Sequence, residues 1–389
     1  AEENNFPDGL VFTVEAESGA EISEVRFRYT FLPENRSSTA TAEFQPGTHV
    51  RASYTLRSGA SLYIPPGKSI RYSWEIRDAA GNELSVPARD TSFADPRFTW
   101  QAATDGNVTV NYYQGGQRDA EVMALIARET IDKASALMGI TFDIPIKIWA
   151  YANRNDFQIA LAHESVTSNP GILGQAHEPD TFIMVVDRLS SPSALDTARH
   201  ELTHLVTARA ISKGPYQGLY PSWLNEGTSV YMQVSPNDVG YLDALDKAIR
   251  EDNVIPLKSL TAGTRNRNVG LFYGEGYSVV KYLVDTHGAE KFAQMIAAFN
   301  RTGILDEAFR EAFGADQTGV YQRWRESVGL SAAPAQPDQP VDTPAQATEP
   351  SSSDDNTVIL AVVGSVLMVL LLGVAVAAGL LLARRARSV

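Results

Sequence analysis

The sequence predicts a multidomain protein. It reads as an all-β sandwich of immunoglobulin or fibronectin type over residues 1–97, then a two-lobed α+β domain over 98–330. A stalk (331–357), a single transmembrane helix (358–383) and a basic tail (384–389) follow. Three observations predict that order. Short runs of near-alternating apolar residues, broken by turn residues, fill the first part of the chain. Helical periodicity sets in at Arg118 and dominates after Glu226. Finally, Val358 to Ala383 is a stretch of 26 residues without a charge, directly ahead of Arg384, Arg385 and Arg387.

Composition narrows the function classes. At 389 residues, 44% hydrophobic and 20% charged, the chain is globular and too long for one ordinary core. It has no cysteine, which excludes disulfides, thiolate metal sites and cysteine nucleophiles. A net charge of −13 repels phosphate backbones and argues against a nucleic-acid partner. The sequence begins at Ala1 rather than Met, as expected after removal of a signal peptide.

In the first module, "LVFTVEAES", "ISEVRFRYTF", "HVRASYTL" and "IRYSWEIRD" are the strand candidates. Turn signals lie at Pro33, Pro46-Gly47, Pro65-Pro66-Gly67 and Asp78 to Asn82. With no clustered titratable groups, the module reads as a spacer or a positioning element.

In the second domain, Val108, Val110 and Tyr112 mark a strand, and Arg118–Met138 a helix. "IPIKIWAYA" is another strand, Asn155–Ala162 a helix, Thr181–Asp187 a strand, and Ser193–Ile211 a helix. The remainder to about Val328 is helical. Residues 331–357, rich in Pro, Ala, Ser and acid, cannot build a core and read as a solvated stalk. The following apolar stretch exceeds the roughly 30 Å hydrocarbon thickness at about 1.5 Å per residue. The arginines after it put the tail in the cytoplasm and everything earlier outside. The expected location is therefore a single-pass cell-membrane protein with an extracellular catalytic domain.

The chemistry gathers in "DTARHELTHLV", Asp196 to Val206. Of only six histidines, two lie here, four residues apart. On a helix, positions i and i+4 share a face with Cβ atoms about 5–6 Å apart, so His200 and His204 can address one ion. Glu201 is rotated about 100° from His200 and can reach a water on that ion instead of the ion itself. Two ligands and one general base are what a hydrolytic metal site needs. Given this composition, accidental HExxH matches are expected on the order of 0.01 per chain. A catalytic zinc takes a third protein ligand and keeps one open position. Twenty-two residues after His204, "PSWLNEGTSVY" places Glu226 near the start of a new helix entered through Pro221 and Ser222.

HELTH followed by W-L-N-E-G resembles the gluzincins, specifically the peptidase MA-like metallohydrolases related to thermolysin and the M-type aminopeptidases. The resemblance covers roughly residues 100–328. It implies one zinc per chain held by His200, His204 and Glu226, with Glu201 activating water for attack on the carbonyl of a peptide or protein substrate. It also implies a tyrosine at the oxyanion. "LFYGEGYSVVKYLVDTHG" resembles the corresponding helix, which gives Tyr273 that role, with Tyr277 as competitor.

Two features depart from the family pattern. The thermolysin branch has an acid where this chain has Val230, leaving the partner of the ligand histidines open. "GILGQAHEPD" (Gly171–Asp180) has glycines but does not align with the aminopeptidase substrate motif; it reads as an edge strand able to pair with a substrate backbone. His163 and His177 read as surface residues, His49 as part of the β module, and His287 as a cation at a helix end. Lys213–Gly218 reads as a loop bordering the site. The rival to an enzyme is an inactive zinc-containing surface sensor of the same fold.

Overall fold

The computed structural model describes residues 1–168, 172–211, 217–236 and 240–331. The expected stalk beyond Ser331, the apolar stretch 358–383 and the basic tail lie outside them. So do residues 169–171, 212–216 and 237–239, which include the first residue of the stretch read as an edge strand and most of the loop read as bordering the site. Among the described residues no helix is long and apolar enough to cross a membrane.

The first body contains β1 (Glu2–Asn5), β2 (Gly9–Leu32), β3 (Arg36–Thr41), β4 (Gly47–Arg57), β5 (Lys68–Asp78) and β6 (Glu83–Phe93). The sandwich expectation needs correcting in its connectivity. The two runs read as separate strands are one strand, β2, and all six strands belong to a single antiparallel sheet. Between Ser18 and Glu21 there is one glycine and no proline, so the chain bulges where it was expected to turn; the register shifts between Glu17 and Ile22. The near half of β2 pairs with β4 and the far half with β5, and the two arms fold onto each other. Phe12 of the near arm meets Phe27 at 4.7 Å and Tyr72 at 4.6 Å. The period-two pattern has its expected effect: Val25, Phe27, Tyr29 and Phe31 are buried while Arg26 and Arg28 face water.

The second body begins with a five-stranded sheet ordered β10-β11-β9-β8-β7. The strands are β7 (Gln101–Asp105), β8 (Val108–Tyr112), β9 (Ile146–Tyr151), β10 (Gly174–His177) and β11 (Thr181–Val185). The inner strands β8, β9 and β11 run parallel, and β7 and β10 close the edges antiparallel. The crossover from β8 to β9 is α1 (Gln117–Met138), ended by Gly139 at φ 67° in the left-handed conformation. Between β9 and β10 come α2 (Arg154–Ala160) and α3 (His163–Ser168). On the sheet lies α4 (Pro192–Ile211), buried along most of its length, its polar Asp196, Glu201, Thr203, His204 and Thr207 included. The helical half is α5 (Ser222–Tyr231), α6 (Tyr241–Arg250), α7 (Ala262–Arg267), α8 (Val269–His287), α9 (Ala289–Thr302), α10 (Leu305–Phe313) and α11 (Gln317–Ser327).

The β module is no loose spacer. Lys147 Nζ of β9 donates to Gly67 O (2.8 Å) and Ser69 Oγ (2.9 Å). Lys68, itself buried, pairs with Glu34 at 2.6 Å and reaches Asp180 at 3.5 Å. Tyr63 donates to Ala160 O and packs against the His177 ring at 4.8 Å. His177 is therefore a buried residue rather than a surface one, and burial with Lys68 nearby pushes it down to about 3. His163 and His49 are exposed as read. His287 is not the expected cation. Partial burial, Arg323 and Lys291 lower its pKa, and its ring packs 5.2 Å from Phe313.

Candidate active site

Five elements build the site. On α4, His200 and His204 rise on one face with ring centroids 4.8 Å apart, and Glu201 lies between them in sequence. From α5, Glu226 enters fully buried, its Oε2 3.2 Å from His200 Nε2 and 3.6 Å from His204 Nε2. These three residues are the metal-competent trio among the described residues, with ligand atoms all within 4.8 Å of one another. Burial pushes the Glu226 carboxyl up, but His204 and His200 beside it outweigh that and hold it well below its ordinary range.

The donor atoms carry their own test of fit. His204 Nε2 and Glu226 Oε2 are buried and have no hydrogen-bond partner among the described residues. Unsatisfied buried polar atoms are costly, and a cation at their meeting point would satisfy both. Two imidazoles and one carboxylate are a donor set suited to zinc.

The partner of His204, left open by Val230, is present earlier on the same helix, at Asn225 and Ser229. His204 Nδ1–H faces Asn225 Oδ1 (3.1 Å) and Ser229 Oγ (3.2 Å), which leaves Nε2 as the free lone pair. Val230 itself is buried in the apolar core. His200 Nδ1 has no such partner among the described residues.

Glu201 is buried. Desolvation raises its pKa, and the neighbouring His204 and His200 counter the rise. The Ala176 N–H donates to its Oε2 at 3.1 Å. That N–H points off the free edge of β10, and antiparallel alternation puts the Gly174 peptide groups on the same edge. The close approach depends on Gly174, where a Cβ would stand 2.7 Å from the Phe182 ring and 3.0 Å from Thr197 Cγ2 of α4.

Tyr273 reaches the site from α8. Its ring centroid lies 6.2 Å from that of His200 and it stacks on Tyr241 at 4.9 Å. Burial, chiefly, and the Glu226 charge raise its pKa, so the hydroxyl keeps its proton. Tyr277, one turn on, lies instead in the surroundings of Lys281 and Tyr231. The α8 wall can come this close because two glycines face each other: a Cβ on Gly227 would stand 2.4 Å from Gly276 O. Sequence reasoning did not find Arg265 of α7, whose Nη1 lies 3.1 Å from Glu226 Oε1. The only signal for it was a short basic stretch with no fixed spacing to HELTH.

A helix-borne histidine pair, a buried carboxylate facing it and a second carboxylate set beside it define a metallohydrolase-type site. The family model of the Peptidase MA superfamily matches residues 126–329, more than half of the chain, and the chain belongs to that superfamily. It is a peptide-bond hydrolase. Among solved structures, a two-domain M1 zinc metallopeptidase variant bound to L-arginine is 13% identical, with TM-score 0.39 over 84% of this chain and 90% of that one. An M1 zinc metallopeptidase from Deinococcus radiodurans is 12% identical, with TM-score 0.38 over 84% and 93%. An aminopeptidase N family protein from Idiomarina loihiensis is 10% identical, with TM-score 0.35 over 77% and 69%. No curated protein matches the chain.

Proposed function

We propose that this protein is a cell-surface zinc metallopeptidase, anchored by one membrane helix over residues 358–383, with the peptidase domain outside and the arginine-bearing tail in the cytoplasm. The observation that carries the peptidase reading is the convergence of His204 Nε2 and Glu226 Oε2, without hydrogen-bond partners among the described residues, beside His200 and Glu201. One zinc per chain fits His200, His204 and Glu226. When bound it would supply Lewis acidity at the scissile carbonyl and make water easier to deprotonate.

The chain's own residues account for the rest of the chemistry. Glu201, lifted by burial and steered by the Ala176 N–H, takes the proton of the attacking water and delivers it to the leaving amine. Tyr273, protonated because buried, donates to the oxygen that gains charge as the carbonyl becomes tetrahedral. The free edge of β10 offers backbone groups to an extended peptide lying across Glu201. The support for the anchor is the charge-free run from Val358 to Ala383 with Arg384, Arg385 and Arg387 after it.

Metal analysis tests the site. The purified protein should carry close to one zinc per chain, and Glu226→Ala should lower occupancy sharply. Full retention in that variant removes Glu226 from the ligands. Topology is tested on intact cells: an added protease should release a large soluble fragment by cutting within 331–357. Protection of that segment from outside overturns the orientation.

A further inference from the structure

Arg265 is among the most buried charged residues of the chain, at 3% exposure. A guanidinium cannot shed its proton, so burying it demands a partner. That partner is a proposed metal ligand: Nη1 lies 3.1 Å from Glu226 Oε1, while Glu226 Oε2 faces His200 and His204. The two oxygens of one carboxylate thus have separate surroundings. The same guanidinium carbon lies 5.9 Å from the centre of the Tyr273 ring. Arg265 and Tyr273 are also linked through the backbone. Asn268 ends α7 and caps α8, its Oδ1 accepting the Leu271 N–H at 3.2 Å. The start of α7 is held in turn by the reciprocal bonds of Thr261 and Thr264.

We propose that Arg265 is a positioning residue for the metal. By holding Oε1 it leaves Glu226 to offer the metal Oε2 alone, and its guanidinium steadies the neighbouring Tyr273 ring. A carboxylate without that grip could rotate or offer both oxygens, altering affinity and the metal's surroundings together. The inference rests on the reading of His200, His204 and Glu226 as a metal site, and its test separates the two.

Zinc affinity should be measured by chelator competition for the wild type, Arg265→Ala, Arg265→Lys, and Arg265→Ala with millimolar methylguanidinium, folding being checked by circular dichroism. Arg265→Ala should lose about 10–100-fold in zinc affinity, the range typical of residues that orient ligands. Lysine should restore part of the loss, since an ammonium still pairs with Oε1, and methylguanidinium should restore part as well. A role in packing alone would give no such rescue. Folded Arg265→Ala with wild-type affinity overturns the proposal, as does a loss that neither lysine nor methylguanidinium reverses. If the alanine variant does not fold, Arg265→Lys decides. Lowered zinc affinity with a shifted visible band of bound cobalt supports the role, and wild-type values for both overturn it. A wild type that binds no zinc overturns the metal reading and this inference with it.

Discussion

The two walls of the site are built by different kinds of information. On the α4 wall, His200, Glu201 and His204 are placed by the pitch of one helix, a local property of five residues. On the opposite wall, Glu226, Arg265 and Tyr273 come from three helices, α5, α7 and α8, and meet only because those helices pack closely. The facing pair Gly227 and Gly276 sets that distance, and Gly274 lets α8 approach the Tyr241 carbonyl in the same way. Local geometry can be read from spacing. Packed geometry depends on small residues whose importance shows only against the partner helix.

The largest effect expected on the packed wall is at Tyr273. Tyr273→Phe should cost roughly 10–10³ in kcat/KM if one oxyanion donor is lost, with zinc content unchanged. Tyr277→Phe, next to Lys281 and Tyr231, should stay near wild type. Equal losses in both would place the oxyanion donor elsewhere.

A smaller effect separates the walls by pH. Glu275 of α8 is fully buried, accepts the Ile255 N–H at 3.0 Å, and is pushed up by burial to about 8. In the unfolded chain it ionises near its ordinary value of 4.5, whereas in the fold it stays protonated until about 8. The unfolded state therefore binds fewer protons between those values, and stability falls as pH rises through that window. Thermal melts should show a decline between about pH 5 and 8 that Glu275→Gln flattens. An unchanged slope in that variant would assign the decline to other groups.

How much was legible follows the same division. The histidine pair of α4 and Glu201 were readable because an i, i+4 pair fixes its own geometry. Glu226 was reachable as the acid at the start of the next helix once HELTH called for a third ligand, whereas Tyr273 was reachable only through a family resemblance. Asn225 and Ser229 stand beside Glu226 in the quoted motif. Their bond to His204 needed the helix-to-helix register, so the absent acid at Val230 read as a missing partner. Arg265 left only a short basic stretch with no fixed spacing to HELTH, because a buried ion pair depends on where two helices meet. In the β module, alternation located β2, β4 and β5 but not β1, β3 and β6, and it cannot tell a turn from a bulge. The run from Gly9 to Leu32 was read as two strands for that reason. His177 read as a surface residue because the docking of Tyr63 onto β10 is a contact between distant segments.

The central claim is that Glu201 is the general base of a peptidase, and Glu201→Gln addresses it most directly. The substitution keeps shape and nearly all volume but cannot accept the water proton. Hydrolysis of an unstructured peptide should fall by about 10²–10⁴, with zinc content equal to the wild type. Equal cleavage by wild type and variant would contradict the mechanism. Zinc binding by both, with no cleavage by either across a diverse peptide library, would make the protein a sensor built on a peptidase fold.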